Sequence, residues 1–219
     1  TPVASVMPVY IYTRDHKAET IDRIVAAIED FNDEHGTEDL KFRLATGNVG
    51  VMAATNQAVS AAQFPMLMWV FAAIIVLCLL TFRSLKATLS IVIPLSLVSI
   101  LAYALMAILE IGLKVSTLPV VALGVGVGVD YGIYIYSRFK SLLAEGQSIH
   151  DAYFATLKLT GSGVIFTGIT LATGVATWIF APIKFQADMG ILLTFMFLLN
   201  MAGAIVVLPA LACWLKPKA

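Results

Sequence analysis

The chain opens on alternating polar and apolar positions and closes on long apolar runs. Residues 7–13 are rich in Val, Ile and Tyr, which suits a strand, and 17–35 place Ile21, Ile24, Val25, Ile28 and Phe31 at helical spacing. After the polar turn HGTEDL, the run KFRLAT (41–46) alternates Phe42 and Leu44 with charged neighbours, as a half-buried strand does. Strand, helix and strand make one βαβ half-unit of roughly 45 residues, too small to hold a core alone. Its partners are expected from sequence outside this chain or from another chain. Residues 1–48 are therefore read as a partial α+β subdomain and 49–63 as a helix linking it to the membrane.

From Phe64 the pattern changes. Five apolar runs, 64–82, 87–109, 115–137, 159–183 and 189–215, each lie near or above the roughly 20 residues that cross a bilayer as helix. Composition agrees: 59% of the residues are hydrophobic, 13% are charged and the mean hydropathy is +0.89. The expected fold is mainly α, a polytopic membrane protein with five transmembrane helices in 64–215. Connections are short except for 139–158, where SIHD offers a Ser-to-Asp cap before Ile149, Ala152, Tyr153 and Leu157. That loop reads as an amphipathic helix on the membrane surface. Cys78 and Cys213 sit in apolar runs and read as small core residues.

Charge is zero overall but segregated, since nine of the fourteen acids and five of the fourteen bases fall in the first 43 residues. In the membrane part, Arg83, Lys86, Arg138, Lys140, Lys158, Lys216 and Lys218 collect on one side, against Lys114 and Lys184 on the other. By the positive-inside rule the first side is cytoplasmic. The C-terminus is then cytoplasmic and the N-terminal unit lies outside, periplasmic in a Gram-negative cell. The start TPVASVMPVYIYTRD, without initiator methionine or signal peptide, suggests a fragment.

Asp130 is the one charged residue within the five runs. A carboxylate at the centre of a membrane helix costs about 2.5 to 3.5 kcal/mol on insertion scales, so something must offset it. Low dielectric disfavours the charged form, and a group that changes protonation at depth can take a proton on one side and release it on the other. The alternative is a permanently protonated, hydrogen-bonded Asp that only joins helices. At 100° per residue, Gly124, Gly128 and Gly132 share a face with Tyr131, while Asp130 shares another with Gly126, Tyr134 and Ser137. The glycines spaced by four form a packing stripe. Gly126 clears space one turn before the acid. A phosphate-binding loop is excluded because these glycines lie inside a span.

In the fourth run Thr167, Thr170, Gly174 and Thr177 draw a polar stripe. Its hydroxyls either hydrogen-bond Asp130 or order a relay, or they bond only their own backbone. Asn200 in the fifth run reads as an interhelical hydrogen bond. His16, His35 and His150 are scattered, no metal-ligand spacing appears, and no nucleophile has a base in a recognisable arrangement, so neither enzyme nor metal centre nor cofactor is expected.

The stretch GVGVGVDYGIYIYSRFK resembles the Gly-rich Asp-Tyr signature of the resistance-nodulation-division (RND) superfamily, in particular its MmpL-like, predicted-exporter branch. The Thr-rich fourth run and the terminal LPAL of the fifth are similar to that family's last two spans. The resemblance covers essentially the whole membrane part. It implies a C-terminal half: the end of a porter domain built from ferredoxin-like βαβ subdomains, then five spans, with a homologous N-terminal half of the same polypeptide missing here. It further implies proton-motive-force-driven export across or out of the bacterial inner membrane. Asp130 would carry the proton, Tyr131 would be its hydrogen-bonding neighbour, Thr167 and Thr170 relay groups, and Tyr134 and Asn200 secondary candidates. Asp130, where the multidrug branch carries Lys, favours hydrophobic, amphiphilic or lipid substrates. The implied partners are membrane lipid, that substrate, the missing half and, left open, further copies of the chain; nucleic acid is not among them. A second reading is a non-transporting lipid-sensing or scaffolding module of sterol-sensing-domain type.

Overall fold

The computed structural model describes residues 7–12, 18–37, 41–44, 48–111 and 117–215. The chain divides into two units, Thr1–Ala58 and Val59–Ala219.

In the first unit the expected helix forms as α1 (Ala18–His35), with Ile21 buried and Ile24, Val25 and Ile28 half-buried along one stripe. The expected strands do not form. Residues 7–12 and 41–44 carry no strand, and no strand occurs among the described residues; Thr13, Ala45 and Thr46 lie outside them. The βαβ arrangement read from the sequence is therefore not seen: besides α1, the described segments 7–12 and 41–44 are neither helix nor strand.

The physical reason is that a strand exists through its ladder partner, which alternation alone does not supply. Phe42 shows the substitute. Its N–H donates to Asn32 Oδ1 at 2.9 Å, and Asn32 Nδ2 donates to its carbonyl at 2.7 Å, the two bonds a neighbouring strand would have made. The Phe42 ring meets Phe31 edge-on at 5.5 Å.

The second unit carries five helices long and apolar enough to cross a membrane, Ala53–Phe82, Leu85–Ile108, Pro119–Ala144, Ile149–Phe180 and Lys184–Trp214. The first lies within α2 (Asn48–Phe82), the second is α3 (Leu85–Ile108) and the third lies in α4 (Leu118–Ala144). The fourth is composite: α5 (Ile149–Thr156), a π turn at Leu157–Gly161, α6 (Ser162–Ala176) and a 3-10 turn at Thr177–Phe180. The fifth joins α7 (Lys184–Ala202) through a π turn at Gly203–Val207 to α8 (Leu208–Trp214). Residues 149–158 thus run without a break into the fourth span.

Helix ends follow local chemistry. Gly146, at φ +87°, ends α4, with Gln147 N–H bonded to the Leu142 carbonyl and Gly146 N–H to Leu143, the paired closure that a left-handed residue permits. Ser148 caps α5, accepting from the Asp151 N–H at 3.1 Å.

Helix α7 is the centre of the bundle and packs against α3, α4 and α6. Water cannot drive helices together within a membrane, so close packing of small residues does that work. A β-carbon at Gly124 would meet Met196, one at Gly168 would meet Met201, and one at Gly190 would meet Trp178. Cys78 is buried, Cys213 half-buried, and both are free thiols.

Candidate functional site

Helix α4 presents two faces of opposite character. On the inner face, Gly124, Gly128 and Gly132 are all buried. Gly128 lies directly on the Asn200 side chain, and Gly132 lies against Ile91 and Leu208. Tyr131 belongs to this face and is only 3% exposed. Its hydroxyl is buried and has no hydrogen-bond partner among the described residues.

On the outer face, Gly126, Asp130, Tyr134 and Ser137 are exposed, Tyr134 at 62%. No atom lies within 4 Å of a β-carbon built on Gly126. The division by face that 100° periodicity predicts is the one observed. Asp130 has no hydrogen bond or ion pair among the described residues, and the bundle formed by this chain leaves its face uncovered. Gly126 adds an open notch one turn away on that face.

Asn200, 4% exposed, fastens the inner face: its Nδ2 donates to the Gly124 carbonyl at 2.8 Å. The bond holds α7 to α4 less than two turns before Asp130. The interhelical role expected for Asn200 is thus seen directly.

The threonine stripe is placed differently. Thr167 and Thr170 are exposed on α6, which packs on α7. The Thr170 hydroxyl donates to its own Phe166 carbonyl at 2.7 Å, and Thr177 donates to Gly174 at 2.7 Å. Within this chain no hydrogen bond joins Thr167 or Thr170 to Asp130. Among the described residues no group of three or more His, Cys, Asp or Glu could hold a metal ion.

Sequence reading missed two groups. Asp188 lies in the first turns of α7 and is buried, one residue before the run counted from Met189. Tyr153 of α5 donates its hydroxyl to the Ile205 carbonyl at 3.2 Å, a contact across 52 residues. The first was findable by extending the helix back to its start at Lys184; the second had no local signal.

Comparison with known proteins identifies the family of the chain. The signature of the MMPL family matches residues 4–217, nearly the whole chain. The chain belongs to the MMPL family. Among its relatives is a membrane protein of Methanocaldococcus jannaschii, 26% identical over 138 residues, which is 63% of this chain and 36% of that protein. Membrane protein YdfJ of Bacillus subtilis is 26% identical over 88 residues, 40% of this chain and 12% of that protein. The trehalose monomycolate exporter MmpL3 of Mycolicibacterium smegmatis is 30% identical over 101 residues, 46% of this chain and 10% of that protein. The aligned part thus spans 36% or less of the length of each of these relatives.

Proposed function

We propose that this chain is the proton-conducting membrane part of an exporter of lipids or other hydrophobic molecules, with Asp130 as the proton carrier. The observation that carries the reading is the position of Asp130: a carboxyl inside a spanning helix, on a face its own bundle leaves open, beside the notch at Gly126. A carboxyl facing hydrocarbon would be costly, so the reading places protein or water against this face in the intact molecule. The covering surface is the other membrane half of the same polypeptide, and Thr167 and Thr170 serve as relay groups only once that half is present.

In this reading protons enter from the extracytoplasmic side, protonate Asp130 and leave to the cytoplasm. Each proton gains about 2.3 kcal/mol per 100 mV of membrane potential. Tyr131 reports the protonation state to the inner face, where Gly124 and Gly128 meet α7. The protein sits in the bacterial inner membrane, its C-terminus in the cytoplasm, and residues 1–48 belong to a periplasmic porter domain. Lipid as substrate is supported by the exporter MmpL3 among the relatives.

The experiment is Asp130→Asn in the intact protein, reconstituted in liposomes with a trapped pH indicator and an imposed potential. The variant keeps size and loses titration, so proton flux and substrate export both stop. Export at the wild-type rate with an unchanged pH dependence would sink the reading.

A further inference from the structure

The last span changes from α to π geometry at Gly203–Val207 and returns to α at Leu208. A cause is written in the sequence. In an α-helix the Ile205 carbonyl would accept from the N–H of residue 209, but residue 209 is proline, which has no N–H and whose ring presses on that carbonyl. The Tyr153 hydroxyl donates to this same carbonyl at 3.2 Å. Proline alone does not account for the π turn, because Pro65 and Pro94 sit inside α2 and α3, which stay α-helical through them. Among the described residues, the carbonyls orphaned by those two prolines, at Ala61 and Ser90, receive no side-chain donor. Among the described residues, the π turn at Gly203–Val207 coincides with the one proline-orphaned helix carbonyl that has a side-chain donor, whereas the π turn at Leu157–Gly161 contains no proline.

The place of the turn gives it consequence. Three residues before it, Asn200 holds the Gly124 carbonyl of α4. Directly after it, Leu208 packs on Gly132 of the same helix. A cavity of about 10 Å³ lies between, lined in part by Gly128, Gly132, Gly203 and Ala204. Conversion of a π turn to α geometry removes one residue from the turn, which rotates one flank against the other by about 100° and shifts it by about 1.5 Å along the axis. The contacts of Asn200 and Leu208 with α4 then cannot both persist.

We propose that Tyr153 is a positioning residue for proton transfer: by holding the Ile205 carbonyl, which Pro209 could not pair in an α register, it keeps the last span in its π form. It thereby sets Asn200 and Leu208 against the inner face of the helix that bears Asp130. The inference rests on the reading of Asp130 as proton carrier for its functional part and on geometry alone for its structural part.

The test is a double-mutant cycle of Tyr153→Phe and Pro209→Ala in the intact reconstituted protein, read by proton flux and by amide hydrogen exchange over residues 203–210. Tyr153→Phe is expected to slow flux about fivefold, the effect of one lost hydrogen bond, and to speed exchange in the π turn. Pro209→Ala restores an N–H for the Ile205 carbonyl, so in that background Tyr153→Phe changes neither quantity further. Equal effects of Tyr153→Phe in both backgrounds, or no effect on exchange with Pro209 in place, would overturn the proposal. Asp130→Asn, run alongside, separates the two readings. If it leaves flux intact while the exchange cycle shows coupling, the carrier assignment fails and the latch stands. If it abolishes flux while the cycle is additive, the latch fails and the carrier stands.

Discussion

Asn200 of α7 lies directly on Gly128 of α4 and donates its amide to the Gly124 carbonyl one turn away. The pair converts a bare backbone position into a polar lock between the central helix and the helix that carries Asp130. A β-carbon at Gly128 would enter the space of the Asn200 amide, and the amide can move only by releasing the Gly124 carbonyl. Gly128→Ala should therefore lower stability by about 1 to 3 kcal/mol, the range for a lost buried hydrogen bond or an overpacked core site. Gly126→Ala meets open space and gains helix propensity, so its thermal midpoint should hold or rise. Thermal unfolding of both variants in detergent checks the contrast, and equal midpoints would show that the lock carries no energy.

The threonines of α6 invite a sharper separation of roles. Because the Thr170 hydroxyl already bonds the Phe166 carbonyl of its own helix, Thr170→Val should leave stability within about 0.5 kcal/mol. Proton flux decides the rest. If Thr170 is a relay group once the intact protein covers α6, Thr170→Val slows flux several-fold while Thr170→Ser restores it. Wild-type flux in Thr170→Val would confine its hydroxyl to backbone bonding.

In the first unit, Asn32 does for Phe42 what a neighbouring strand would do. Asn32→Ala removes both bonds, and the expected outcome is faster amide exchange at Phe42 by about tenfold, from the loss of roughly 1 to 1.5 kcal/mol. Asn32→Asp keeps the acceptor for the Phe42 N–H and loses the donor to its carbonyl, so it should fall between. Exchange measured by mass spectrometry on the peptide spanning Lys41 to Leu44 reads the series directly. No change in Asn32→Ala would mean that the intact protein supplies Phe42 with a strand.

What the sequence made legible, and what it hid, divides along the range of the forces involved. The five spans were readable because hydrocarbon imposes length and apolarity on each helix separately. The two faces of α4 were readable because helical periodicity fixes where Gly128 and Asp130 point relative to one another. The strands were misread because Val9, Tyr10 and Ile11 carry strand composition without the ladder partner that strand structure requires. The orphaned carbonyl of Ile205 was in principle readable from Pro209, four residues on. Its donor was not, because Tyr153 reaches it across the fold.

Tyr131 supplies the prediction that best separates structure from function. Its hydroxyl is buried and unpaired among the described residues, and a buried unpaired donor costs about 1 to 3 kcal/mol. Tyr131→Phe keeps the ring that fills the inner face and removes only that group, so a structural account predicts an unchanged or raised thermal midpoint. A role beside Asp130 predicts, in the same variant, a several-fold loss of proton flux with an altered pH profile. The two measurements therefore move in opposite directions if the hydroxyl is retained for function at the expense of stability. If instead the midpoint falls by the equivalent of about 1 kcal/mol, the intact protein satisfies the hydroxyl with a partner from outside this chain, and Tyr131 is a contact to that partner.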